Sequence, residues 1–105
     1  MFGTRYIEKA ETLREDDHEA IMAFTFHSTP ANAIWETLSR GHKIDCTTIE
    51  GRWAREETFL AIQDYFLENG VHGLGYDIVK AELLDSDRFL GPRKAKLTIS
   101  LLKRR

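Results

Sequence analysis

His18, His27, His42, His72 and Cys46 are the side chains of this chain best suited to soft-metal or nucleophilic chemistry. His42 and Cys46 lie four apart and would share a face if their segment were helical, but a zinc site needs three or four ligands with supporting partners. With one cysteine in the chain, an intrachain disulfide is impossible and a cysteine-based zinc centre would need a second chain. Cys46 could act as a nucleophile with His42 or His72 as base, yet no local signature of thiol catalysis accompanies it. The plainer reading makes Cys46 a small buried filler and the histidines ordinary loop and strand-end residues.

Other chemistry-bearing residues yield to similar arguments. Gly70, Gly73 and Gly75 suggest a phosphate loop, but such loops run strand, glycines, helix, and here the glycines follow a helix whose negative end faces them. Glu15, Asp16 and Asp17, or Asp85 and Asp87, could hold a hard cation only if several oxygens converged, and neither spacing is that of a calcium loop. Ser28 lacks the flanking glycines of a nucleophile elbow. No catalytic, cofactor-binding or metal-binding residue is therefore assigned, and the chain reads as non-enzymatic.

Two stretches suit recognition rather than catalysis. From Arg88 to the end stand seven basic residues (Arg88, Arg93, Lys94, Lys96, Lys103, Arg104 and Arg105) and no acidic one, which leaves the earlier residues strongly acidic within a net charge of -2. Such a strip can contact phosphates, with Tyr6, Tyr76 or Phe89 stacking bases, or its lysines can protect an outer strand from aggregation. Arg88, Phe89 and Leu90, with Gly91-Pro92, place an arginine and two apolar side chains at a hairpin tip, where interface anchors are common. The candidate partner contacts are thus Arg88, Phe89, Leu90, Arg93, Lys94, Lys96, Lys103, Arg104 and Arg105.

These residues need a scaffold, and 105 residues with 42% hydrophobic and 30% charged content suit a single small domain. Without a long apolar run or a basic-then-apolar leader, the expected compartment is the cytoplasm, with no membrane partner. Residues 4–13 lean to strand, and Ala20 to Ser28 is a short apolar run that reads as a central strand, with Met22, Phe24 and Phe26 on one face. Ser28-Thr29-Pro30 opens a helix carrying Ala31, Ile34, Trp35 and Leu38 on one side, and Gly41 ends it. A longer helix runs from about Ala54 to Asn69, with Phe59, Ile62 and Phe66 as its apolar stripe, Glu56 and Glu57 in its first turn and Asn69-Gly70 as its stop.

Residues 43–48 alternate as an extra short strand would, whereas Thr47 and Glu50 could start the long helix early; Gly51 is read as a break. Tyr76 to Leu84 is a strand with Ile78 and Leu84 on one side and Val79, Ala81 and Leu83 on the other, paired as a hairpin with the alternating strand of Ala95, Leu97, Ile99 and Leu101. The expected fold is an α+β two-layer sandwich, order β-β-α-α-β-β, with an antiparallel sheet of about four strands and both helices on one face. Ile21, Ala23 and Ile78 would then leave the open sheet face unusually apolar, which suggests docking or self-association. The functional expectation is a protein-binding module: an assembly subunit, an adaptor or an inhibitor acting by surface occlusion. Nucleic-acid or nucleoprotein binding through the basic C-terminal strand and tail is the alternative.

Overall fold

Phe24, Phe26, Leu97 and Ile99 have no measurable solvent exposure, and the strands that carry them form the middle of the sheet. A computed structural model describes residues 3–84 and 93–103. A 3-10 turn, Gly3–Tyr6, precedes β1 (Ile7–Glu15), β2 (Glu19–His27), α1 (Ser28–Ser39), α2 (Ile49–Asn69), β3 (Gly73–Leu84) and β4 (Lys94–Lys103). The four strands form one antiparallel sheet in the order β1-β2-β4-β3, so the α+β class, the element order and the four strands are as the residue patterns predict.

The pairing of β2 with β4 explains the core. Met22 faces Ile99, Phe24 faces Leu97 and Phe26 faces Ala95, so alternate residues of both strands meet the helices in one register. From α1, Pro30, Ala31, Ala33, Ile34 and Thr37 are buried, and the Trp35 indole N–H donates to the Lys94 carbonyl at 2.8 Å. The expected hydroxyl cap before Pro30 is not formed: the helix starts at Ser28, its N-cap position falls on His27 without a side-chain capping bond, and the Ser28 hydroxyl lies 2.8 Å from His27 Nδ1.

The segment before α2 is not a strand; residues 44–48 form turns and bends. There Thr48 caps α2 by accepting the Gly51 N–H at 3.0 Å, so the helix begins at Ile49 and Glu50, rather than Glu56 or Glu57, occupies its first turn. Gly51 is no break. It lets the preceding loop pack on the helix, since a Cβ there would lie 2.2 Å from the Lys43 carbonyl oxygen. Thr37 Oγ1 then ties the helices together, sitting 2.8 Å from both the Ala33 and Glu50 carbonyl oxygens and sharing its one proton between them. Gly70, at φ 65°, ends α2 where expected.

Strand β3 departs from simple alternation because its register shifts between Ile78 and Lys80. This bulge turns Val79 out to solvent and brings Ile78 onto the core side with Ala81 and Leu83, opposite to the predicted phase.

Candidate protein-docking surface

The side of α2 that covers the sheet is made of small residues. Gly51, Ala54, Thr58, Ala61 and Ile62 are buried, with Tyr65 and Phe66 packed partly beside them. Phe66 and Tyr65 close on Phe24 edge-on, with ring centroids 6.3 and 5.2 Å from it. Phe59, predicted to lie in this stripe, is instead 48% exposed and stacks on Tyr76 at 6.3 Å.

A second apolar row runs along the opposite side of the same helix. Ile49 (81% exposed), Trp53 (39%), Leu60 (59%) and Leu67 (62%) follow one another at spacings of four, seven and seven, which stack on one face of a 3.6-residue helix. The 3-10 turn borders one flank of α2, where the Gly3 N–H donates to Asp64 Oδ2 at 2.8 Å. On the other flank, α2 and the start of β3 leave two adjoining depressions of about 420 and 470 Å³ that share Phe59, Gly75 and Tyr76. Phe66, Leu67, Val71 and His72 line the first; Ile44, Arg55, Asp77 and Ile78 line the second. Burial pushes the Tyr76 hydroxyl up to about 12, with Arg55 opposing the shift.

The basic strand behaves differently from what its composition suggests. Lys94 and Lys96 do point away from the helices, but β4 is an interior strand, so they protect no edge. Nor are they free for phosphate. Lys94 Nζ lies 2.7 Å from Glu8, Lys96 Nζ 3.8 Å from Glu11, and Lys103 Nζ 2.9 Å from Glu15. Arg93 reaches Glu36 at 3.9 Å and lies over the Trp35 ring at 5.3 Å. The other predicted contacts, Arg88, Phe89, Leu90, Arg104 and Arg105, lie outside the described residues, as do Asp85 and Asp87.

The open sheet face is similarly occupied by charge. Ser100 donates to one Glu19 oxygen and Arg14 to the other, both at 2.6 Å, and these bonds hold the Glu19 carboxyl below its ordinary range. Lys80 does the same for Glu82. Ala23 is 1% exposed, flanked in register by Glu11 and Thr98, and Ile78 faces the helices, so the apolar open face inferred from Ile21, Ala23 and Ile78 does not exist as such.

Cys46 is exposed rather than buried, and its Sγ accepts an Arg55 N–H at 3.0 Å. His42 Nδ1 sits 3.3 Å from Glu50 Oε2, an ion-pair distance without hydrogen-bond alignment, and His72 lies in the first depression. Among the described residues no three His, Cys, Asp or Glu side chains gather as a metal site, and no helix is long and apolar enough to cross a membrane. Compared with known proteins, the chain matches no family model, no curated protein and no solved structure.

Proposed function

We propose that this is a non-enzymatic cytoplasmic protein-binding module, an assembly subunit, adaptor or inhibitor that works by covering a partner's surface, and that α2 carries the contact. The single observation behind this reading is the outward row of Ile49, Trp53, Leu60 and Leu67 on a helix whose core-facing side is already satisfied. Scattered apolar side chains on a surface need no explanation, but a row of four on one helix face, with Trp among them, matches the anchors on which interfaces concentrate their energy. Nucleic-acid binding is the lesser reading, because the described β4 lysines are already matched by Glu8, Glu11 and Glu15.

Copurification from the native cell, comparing the wild-type chain with a Trp53→Glu, Leu60→Glu double variant of equal thermal stability, tests the proposal. A stoichiometric partner present with the first and lost with the second is expected. A partner retained by both, or none with either, contradicts it.

A further inference from the structure

The trough between α2 and β3 has a definite polarity. Its first depression is bounded by Phe59, Phe66, Leu67, Val71 and Tyr76, whereas the second opens toward Arg55. Charge is distributed unevenly around it. Lys9, Arg14, Arg40, Lys80, Arg93, Lys94, Lys96 and Lys103 each have a carboxylate at salt-bridge distance. Among the described residues, Lys43, Arg52 and Arg55 have none; Lys43 lies in the loop before α2, Arg52 in its first turn, and Arg55, a turn further on, lines the second depression. Of the acids around them, Asp45 is bonded by the Thr47 hydroxyl and N–H, with Lys43 and Arg55 lowering it further from a distance, and Asp77 shares the second depression with Arg55. The trough also runs beside the outer edge of β3, the last strand of the sheet, with which no described strand pairs.

Resting on the protein-binding reading, we propose that this trough takes an extended segment of a partner protein carrying an apolar side chain and, within a few residues, an aspartate or glutamate. The apolar group fills the space beside Phe59, Phe66 and Leu67. The carboxylate meets the Arg55 guanidinium, whose planar donors suit it, while main-chain groups of the segment pair with the β3 edge. A phosphate backbone fits less well, since among the described residues Arg55 is the one cation lining the two depressions and a phosphate chain needs several.

The test pans phage-displayed random dodecapeptides on the full chain and then measures selected peptides by fluorescence anisotropy. Enrichment of sequences pairing an apolar residue with a nearby Asp or Glu is expected, with binding weakened about tenfold or more by Arg55→Glu and less than that by Arg55→Lys, which keeps the charge but loses the planar donors. Phe59→Ser is expected to weaken the same peptides without changing the circular dichroism spectrum. No enrichment, enrichment lacking acidic residues, or indifference to Arg55→Glu overturns the inference. Oligonucleotide binding or a concentration-dependent dimer that Arg55→Glu abolishes also overturns it, by naming another occupant. Peptides lost with Trp53→Glu, Leu60→Glu but untouched by Arg55→Glu would sink the trough while leaving the protein-binding reading standing.

Discussion

Single residues in this protein often contradict their intrinsic preferences, and the contradictions are measurable. Gly51 sits in the first turn of α2, where alanine would ordinarily favour the helix by up to about 1 kcal/mol. Its missing Cβ is what admits the Lys43 carbonyl, so Gly51→Ala should destabilise the protein, and a lower urea midpoint is the expected outcome. At Gly70 the reason is conformational instead: nothing lies within 4 Å of a Cβ there, and Gly70→Ala should cost only about 1–2 kcal/mol through its left-handed backbone. Tyr76 offers a pH signature. Its folded-state value is raised above the ordinary 10.0 to about 12, so the stability it contributes is complete below pH 10 and is lost as pH rises through 12. Absorbance at alkaline pH should show one tyrosine ionising late, and Tyr76→Phe should remove that step.

At the scale of elements, α2 carries apolar residues on two opposite sides, and only one of them holds the fold together. Ile62→Ala, on the buried side, should cost about 2–5 kcal/mol, whereas Leu60→Glu should change stability by less than about 0.5 kcal/mol; chemical denaturation of both distinguishes the sides. This duplication is also why the helix was legible in sequence while its inward face was only partly so: Ile62 and Phe66 meet the core, but Phe59 does not. Phe59 looks like core by spacing, but the close approach of α2 to its neighbours selects Ala54, Thr58 and Ala61, whose smallness has no period of its own. Strands β2 and β4 were readable because they are central and covered by helices on one side, so alternation maps directly onto burial. Strand β3 was readable as a strand but not in its facing, because the register shift at Val79 puts Ile78 on the same side as Ala81 and Leu83. The early start of α2 depended on Thr48 rather than Thr47, a choice that rests on backbone direction at the turn.

For the whole molecule, charge dominates the open sheet face, where Val79 and Leu102 are exposed apolar side chains among the ion pairs. The open face of the sheet carries many ion pairs, each exposed pair worth little singly, and among the described residues the cations that composition offered as a phosphate strip (Arg93, Lys94, Lys96 and Lys103) are answered within the chain. The helical side instead exposes the α2 row and the adjoining trough, and that part of the candidate site could not be found from charge or motifs because it depends on how β3 and α2 leave space between them. On the proposed function, partners meet the helical side. A photo-crosslinking amino acid placed at Leu60 in one variant and at Thr98, on the open sheet face, in another would test it in the native cell. Protein adducts from position 60 and none from position 98 are predicted; adducts from position 98 alone, or from neither, would contradict it.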